Sequence, residues 1–205
     1  MKVLIINGSP KMDGNCSYLI KEMSNIFEKE NIEIDLYNVG NKDIHGCIAC
    51  DYCKSHDGCV FKDDVNDLAN RFKESDGLIV LSPVYYASAN GTVISLLDRL
   101  FHSSKFDKRF KVGAAFAVAR RAGTTATFDE LNKYFTISQM PIASGRYWNN
   151  VFGGSKGEIN EDLEGLQNAR IVASNMVFLM KAIKDAKEKY GLPEVEEIKW
   201  TNFIR

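Results

Sequence analysis

The chain has 205 residues, of which 45% are hydrophobic and 26% are charged, a balance typical of one globular domain with a sizeable core. Its formal net charge of −1 gives no electrostatic reason to expect a nucleic acid or an anionic membrane as partner. No apolar run approaches the ~20 residues of a membrane span. The chain opens on a strand pattern and not on a charged leader, so we expect a cytoplasmic protein.

Short apolar runs alternate with amphipathic helical patterns along the whole chain. Strands are predicted at Val3–Ile6, Ile32–Val39, Gly77–Leu81, Lys111–Ala119 and Pro141–Ser144. A loop is predicted over Tyr147–Gly157 and a long last helix over Glu161–Tyr190. Such strands pair in parallel with helices on both faces, which predicts a three-layer α/β fold. Five strands favour a single, doubly wound, flavodoxin-like domain over residues 1–205, with strand order 2-1-3-4-5.

The loop after the first strand has the features of a phosphate site. Glycines and turn formers lead directly into a helix, so loop N–H groups and the positive end of the helix dipole converge on one spot. The side chains of Ser9, Cys16 and Ser17 are candidate donors, and Lys11 adds a positive charge. The spacing matches neither the P-loop nor the GxGxxG pattern. An ordinary strand-to-helix turn would need the same glycines.

Three loops are expected to meet at the carboxyl ends of the strands, where ligands of this fold bind. They are residues 8–17, 82–91 and 119–125. Tyr85 and Tyr86 on the second loop offer aromatic faces, although tyrosines at such positions can also cover a core edge. A flat aromatic ligand with a phosphate tail suits this edge, and FMN meets that description.

Several segments together resemble the NADPH-dependent FMN reductase branch of the flavodoxin superfamily. They are Asn7-Gly8-Ser9-Pro10-Lys11, Gly14-Asn15-Cys16-Ser17, Ser82-Pro83-Val84-Tyr85-Tyr86 and Tyr147-Trp148-Asn149. The resemblance implies that FMN is bound by Ser9, Lys11, Asn15, Cys16, Ser17, Pro83, Val84, Tyr85, Tyr86, Ala87, Ala119, Arg120 and Gly123. Cys16 departs from the family, which usually has Thr or Ser there, and a thiol is the weaker donor.

A run of four cysteines, C-x2-C-x2-C-x5-C, occupies the loop at residues 46–60. Three thiolates at steps of three can wrap one face of a cubane, and a fourth can close it, which favours a 4Fe-4S cluster. Alternatives are a zinc site that uses His45 or His56, a disulfide switch, and free thiols. An odd total of five cysteines argues against a secreted disulfide framework.

Within the flavodoxin-like group, this run resembles that of the iron–sulfur flavoproteins. The residues that match it are Cys47, Cys50, Cys53 and Cys59. The resemblance implies a homodimer or homotetramer in which FMN and a 4Fe-4S cluster exchange electrons near a subunit interface. The leading hypothesis is an FMN-dependent oxidoreductase that serves a small molecule or a ferredoxin-type partner. Alternatives are an NAD(P)H-fed flavin or quinone reductase without a cluster, and a non-enzymatic redox carrier or sensor.

Other candidate residues leave more than one interpretation open. Arg120 and Arg121 suit the electron-rich edge of a flavin, but equally a solvated loop, and Tyr147 and Trp148 suit a ring cap, a subunit contact or core packing. His102 is expected at the surface. No spacing supports a catalytic triad or paired carboxylates, so no side chain is assigned as acid, base or nucleophile.

Overall fold

The computed structural model describes residues 1–201 and 203–204. The strands are β1 (Lys2–Asn7), β2 (Glu33–Asn38), β3 (Gly77–Tyr85), β4 (Ser88–Ala89), β5 (Val112–Ala119) and β6 (Asn150–Phe152). The α-helices are α1 (Asn15–Lys29), α2 (Tyr52–Ser55), α3 (Asp64–Glu74), α4 (Gly91–Ser103), α5 (Thr124–Ile137) and α6 (Leu163–Tyr190). A 3-10 helix, Glu158–Glu161, precedes α6.

The sheet has the order β2-β1-β3-β5-β6, with all of these neighbours parallel. The short β4 lies outside this path and forms an antiparallel hairpin with β3. With the hairpin strand set aside, this is the predicted order 2-1-3-4-5, and the predicted flavodoxin-like fold is confirmed. Over the described residues, no helix combines the length and the apolarity needed to cross a bilayer. The cytoplasmic location stays a prediction.

Alternate residues of β1 serve two different cores. Val3 and Ile5 belong to a cluster shared with α1 and α6, whereas Leu4 and Ile6 belong to a second cluster shared with α3, α4 and α5. All four side chains are fully buried. Because both faces of this strand are covered, every position is apolar, as expected for a parallel sheet. A ligand can therefore approach this strand only at the loops that follow its carboxyl end.

The position of the last strand differs from the prediction. Pro141–Ser144 was expected to form it, but only Ile142 makes an isolated parallel bridge, to Gly113. The strand itself, β6, lies within the predicted loop Tyr147–Gly157. The physical reason is a polar tether: Asn168 on α6 accepts hydrogen bonds from two backbone N–H groups of the intervening chain and donates to the Asn149 side chain. These bonds fix the intervening backbone on α6, and regular pairing with β5 begins at Asn150.

Candidate functional site

Three loops meet at the carboxyl ends of β1, β3 and β5, as predicted. The Gly8 N–H donates to the Leu81 carbonyl at 2.8 Å, which ties the first loop to the end of β3. A Cβ placed at Gly123 would lie 2.5 Å from the Ala87 Cα, so the third loop packs directly against the second. Gly123 also has a φ of +92°, in the left-handed region that favours glycine. The three loops therefore form one continuous edge.

The first loop is held in shape by its own polar groups. The Ser9 N–H donates to Asn7 Oδ1 and the Lys11 N–H donates to Ser9 Oγ, both at 3.1 Å. The Gly14 N–H closes the turn on the Lys11 carbonyl at 3.2 Å. The Ser17 hydroxyl donates to a loop carbonyl, that of Met12, at 2.5 Å. Ser9 is buried, Ser17 is half-buried and Lys11 is exposed, so this compact turn presents its charge at the surface.

Two of the predicted binding residues direct their side chains elsewhere. The Asn15 side chain donates to the carbonyls of Gly153 and Ser155 at 2.9 Å, and it accepts the Gly157 N–H at 2.9 Å. Cys16 is only 2% exposed within the apolar core beneath α1, and burial raises the pKa of its thiol to about 12. The expectation of a side-chain donor at Cys16 is therefore wrong. The loop gains from these residues only the backbone at the start of α1.

The second loop, residues 82–91, contains a two-residue hairpin turn between β3 and β4. Tyr86 and Ala87 form its tip with φ values of +50° and +60°. Residues with a side chain rarely adopt this backbone conformation, because it costs of order 1 kcal/mol per non-glycine residue. Glu130 on α5 holds the hairpin in place, because its carboxylate accepts the Ser88 hydroxyl at 2.7 Å and the Ala89 N–H at 2.9 Å. Sequence reasoning missed this anchor.

The tip of the hairpin is exposed. Tyr86 is fully exposed and Tyr85 is 45% exposed, so neither ring covers a core edge. Pro83 and Val84, at the end of β3, are half-buried, and Val84 contacts the third loop near Gly123. The second loop thus brings two aromatic rings to the same edge as the phosphate-type turn.

The third loop begins where β5 ends. Ala119 is buried in the strand, whereas the neighbouring Arg120 and Arg121 are both exposed. A Cβ placed at Gly154 would lie 2.9 Å from Arg120 Cγ, so this arginine packs its stem along the segment that follows β6. Of the two arginines, Arg120 is the one that the structure brings against a neighbouring loop of the site.

A fourth segment, residues 153–158, completes the edge and was not anticipated as part of it. Glu158 accepts the N–H groups of Gly154 and Ser155 at 2.7 and 2.6 Å, and these hydrogen bonds lower the pKa of its carboxyl. Lys156 forms an ion pair with Asp13 of the first loop. The glycine-rich composition of this segment was the only sign in the sequence that it belongs to the site. Its contacts with the first loop join residues that are distant in the chain.

A separate pocket lies beside the first turn of α2 and the last turns of α4. All four cysteines of the run line it: Cys47, Cys50, Cys53 and Cys59. The pocket encloses about 20 Å³ and is partly open to solvent. All five cysteines of the chain are free thiols, so no disulfide is formed. The run thus lines one pocket, and the 4Fe-4S cluster stays a prediction.

The zinc alternative needed His45 or His56 as a ligand beside the cysteines, and neither histidine is placed for this role. His45 stacks on Phe61 with ring centres 4.6 Å apart, and His56 stacks on Tyr52 at 3.9 Å. Neither lines the pocket, whereas His102 does. Across residues 1–201 and 203–204, no three His, Cys, Asp or Glu side chains are placed to hold a metal ion together.

Cys59 is the most firmly held of the four cysteines. Its N–H donates to Asn66 Oδ1 at 2.7 Å, and the Asn66 amide donates back to the Cys59 carbonyl at 3.1 Å. Its Sγ accepts a hydrogen bond from Arg99 Nε at 3.2 Å. Burial by itself would lower the pKa of Arg99, but its hydrogen bonds to Asp63 and Cys59 outweigh burial and raise it. Neither Asn66 nor Arg99 was singled out from the sequence.

Comparison with known proteins identifies the family and the fold of this chain. The family described as NADPH-dependent FMN reductase matches residues 1–153. An iron-sulfur flavoprotein of Methanocaldococcus jannaschii is 32% identical over 192 residues, which cover 90% of this chain and 100% of that protein. The crystal structure of RosB with bound 8-demethyl-8-formylriboflavin-5'-phosphate has a TM-score of 0.70 at 14% identity and covers 100% of this chain and 92% of its own. A flavodoxin from the domain Archaea has a TM-score of 0.56 at 13% identity, with coverages of 90% and 99%.

The two solved structures establish the flavodoxin-like fold alone, since their identities are low. The family match reaches from the first strand to the end of β6, and so includes all three loops of the edge and the whole cysteine run. The archaeal relative matches over its full length. The chain therefore belongs to the NADPH-dependent FMN reductase family, in its iron–sulfur flavoprotein branch, and is an FMN-dependent oxidoreductase.

Proposed function

We propose that this oxidoreductase exchanges electrons between FMN, bound at the three-loop edge, and a 4Fe-4S cluster bound in the cysteine pocket. The observation that carries the proposal is that Cys47, Cys50, Cys53 and Cys59 all line one cavity in a chain of the FMN reductase family. A bound flavin supplies one- and two-electron chemistry, and a bound cluster supplies single-electron transfer. The protein contributes placement and electrostatics.

We call the three-loop edge, where FMN is proposed to bind, the flavin edge. Its backbone is the main binding element. The turn at residues 8–17 and the start of α1 offer N–H groups and the helix dipole to a phosphate. Lys11 adds charge at the rim, and the Ser9 and Ser17 hydroxyls hold the turn in shape through hydrogen bonds within it. Tyr85 and Tyr86 offer faces on which a flat ring can stack. Each of these groups binds or orients the ligand, and none is asked to move a proton.

In the cysteine pocket, the donor set fits an iron–sulfur cluster. Four thiolates are the soft ligands that such a cluster requires: each of its four irons takes one of them and is otherwise bound by the cluster's own sulfides. Ligands of a cubane therefore surround a volume and do not converge on one point. The support for a cluster here is that all four cysteines line this one pocket.

We further propose an external electron partner and a homo-oligomer. Cys47 and Cys50 are exposed, and Ile48 between them is 57% exposed, so the pocket opens to the surface where a small molecule or a ferredoxin-type protein can approach. Tyr147 and Trp148 are also exposed, at 60% and 54%, which excludes core packing and favours a contact with a second copy. Sedimentation of the holoprotein tests this, with a monomer as the contrary result.

The test of the proposed function is metal and flavin analysis of protein purified without oxygen. We expect about one FMN and about four irons per chain, with a broad visible absorption that bleaches on one-electron reduction. Iron below one per chain in protein that still binds FMN would remove the cluster from the proposal. The absence of FMN binding in a titration would overturn the proposed flavin site as well.

A second candidate is an NAD(P)H-dependent flavin or quinone reductase that works without a cluster. The family description favours it. It predicts NADPH oxidation with free flavin or quinone that is unchanged in a Cys50→Ser variant. The leading proposal predicts that this substitution removes iron and slows electron transfer to a protein partner.

A further inference from the structure

One buried ion pair adjoins the cysteine pocket and has no part in the flavin edge. Arg99 lies on α4 with its side chain 1% exposed, and Asp63, just before α3, is 19% exposed. The guanidinium donates from Nη2 to Asp63 Oδ1 at 2.8 Å and from Nη1 to the other carboxylate oxygen. It also donates from Nη1 to the His45 carbonyl at 3.0 Å and from Nε to Cys59 Sγ at 3.2 Å.

The position of Arg99 is costly for a fold to maintain. Its neighbours on α4, Leu96, Leu97 and Leu100, are buried in the core, and Arg99 is among the largest fully buried side chains. A buried guanidinium is tolerated only when it is paired and its N–H groups are satisfied, and an apolar residue of similar size often stabilises a fold better. Stability alone therefore does not account for an arginine that points a donor at a cysteine sulfur.

We propose that Arg99 is a positioning residue that raises the reduction potential of the cluster bound by Cys59, and that Asp63 limits this effect. The inference rests on the proposed function and names a residue that controls it. Reduction of the cluster adds one electron from an external donor, and no bond is broken and no proton is transferred at Arg99. A hydrogen bond and a positive charge at a ligating sulfur stabilise the more negative, reduced state.

The two members of the pair should act with opposite signs. Removal of the donor at Arg99 leaves Cys59 beside an uncompensated carboxylate, so the reduced state is disfavoured and the potential falls. Replacement of Asp63 by Asn leaves the guanidinium charge uncompensated, so the potential rises. Asn is also a good N-cap residue, so this variant retains the start of α3, where the Asp63 carboxylate accepts the Val65 N–H. A merely structural tether predicts no such opposition.

The experiment is an anaerobic redox titration of the holoprotein, followed by cluster EPR, with iron counted in each variant. We expect Arg99→Gln to shift the oxidised-to-reduced ratio about tenfold towards the oxidised state, about 59 mV for a one-electron couple. We expect Asp63→Asn to shift it in the opposite direction. Thermal melting of each apoprotein reports on the fold separately.

The matched control is an arginine–aspartate pair of comparable geometry elsewhere in the fold. Arg71 on α3 bonds through Nε and Nη2 to the two carboxylate oxygens of Asp35 on β2, away from the cysteine pocket. We expect Arg71→Gln to leave the cluster potential unchanged. A shift in this control as large as that in Arg99→Gln would show that any lost ion pair has the effect, and would overturn the proposal.

Other outcomes decide the proposal as follows. Shifts of the same sign in Arg99→Gln and Asp63→Asn, or no shift in iron-loaded protein, would overturn it. If Arg99→Gln does not retain iron, the iron-loaded Asp63→Asn variant decides alone: a raised potential supports the proposal and an unchanged one overturns it. A wild-type protein without iron would overturn the proposed function itself, which is a different result from an unchanged potential.

Discussion

The flavin edge and the cysteine pocket lie on one chain, yet different chemical groups hold each of them in shape. At the flavin edge, the loop around Ser9 and Gly14 is closed by hydrogen bonds among its own backbone and short side chains. At the cysteine pocket, the loop is held through side chains that arrive from α3 and α4, above all Asn66 and Arg99. The first is a site of backbone geometry and the second is a site of side-chain chemistry.

This difference predicts what each site tolerates. A backbone site should survive the loss of most side chains but should fail where a glycine permits close approach or a positive φ. A side-chain site should behave in the opposite way, since the ligand atoms themselves are lost. Variants that damage one site and spare the other therefore measure how independent the two are.

The largest effect is expected at the cysteine pocket. Cys53→Ala removes one of four sulfur ligands, and we expect iron to fall from about four to below one per chain while FMN content stays near one. Iron and flavin analysis of anaerobically purified protein measures both. Cys16→Ala is the matched control, since Cys16 is a buried cysteine outside the run and should keep its full iron content. A parallel loss of FMN in Cys53→Ala would show that the two sites fold as one.

The flavin edge should respond most strongly to Gly123→Val. The new Cβ would lie 2.5 Å from the Ala87 backbone and would require a φ of +92°, so the second and third loops must separate. We expect the Kd for FMN to rise at least about tenfold, equivalent to ~1.4 kcal/mol, with iron unchanged. Fluorescence titration of the apoprotein with FMN measures the Kd.

The control for this variant is Gly91→Ala at the start of α4. An added Cβ there meets nothing within 4 Å, so FMN binding should match the wild type. Equal Kd values for Gly123→Val and the wild type would contradict the view that close packing of the loops makes the site.

A smaller effect is expected from Cys16→Ser. The hydroxyl is placed in the apolar core beneath α1, and we expect a loss of ~1–2 kcal/mol in the free energy of unfolding. Because this side chain does not face the loop, the Kd for FMN should stay within about twofold of the wild type. Chemical denaturation and the same fluorescence titration provide the two readouts. Markedly tighter FMN binding would show that the side chain at this position donates to the ligand after all.

The smallest effect is expected from Asp35→Asn on β2, which belongs neither to the three loops nor to the lining of the cysteine pocket. The hydrogen bond from Arg71 lowers the pKa of Asp35, so the folded state favours the carboxylate. This stability is present above the unfolded pKa of ~3.9 and is lost as the pH falls through the lowered folded pKa. We expect the variant to be less stable by ~0.5–1 kcal/mol at pH 7 and the difference to vanish in acid. Unfolding curves at several pH values measure it, and a difference that grows in acid would contradict the sign.

Much of the flavin edge could be predicted because its signals are local. Strand, glycine-bearing turn and helix follow one another within the first thirty residues, and parallel pairing places the three loops at one end of the sheet. The sequence also held an unused signal for Cys16. It lies three residues before Leu19 and seven before Met23, the spacing of the apolar face of α1, which is where the structure places it.

Other features could not be predicted because their partners are distant in the chain. Arg99 resembles any charged residue within a helix until Asp63, 36 residues away, is seen to face it. Asn168 looks like a surface residue of the last helix, yet it decides where β6 begins by holding the backbone 22 residues earlier. A hydrogen bond across such separations leaves no periodicity or spacing for a reader of sequence to find.

The sequence by itself determined the alternation of strands and helices, the order of the sheet, the composition of the phosphate-type turn and the supply of four cysteines. These follow from short-range preferences and from hydrophobic periodicity, which each segment carries alone. Only the tertiary structure decided which side chains face the two sites, since orientation depends on packing between segments. It buried the Cys16 side chain in the core, bound the Asn15 side chain to residues 153–157 and brought a buried arginine to the sulfur of Cys59.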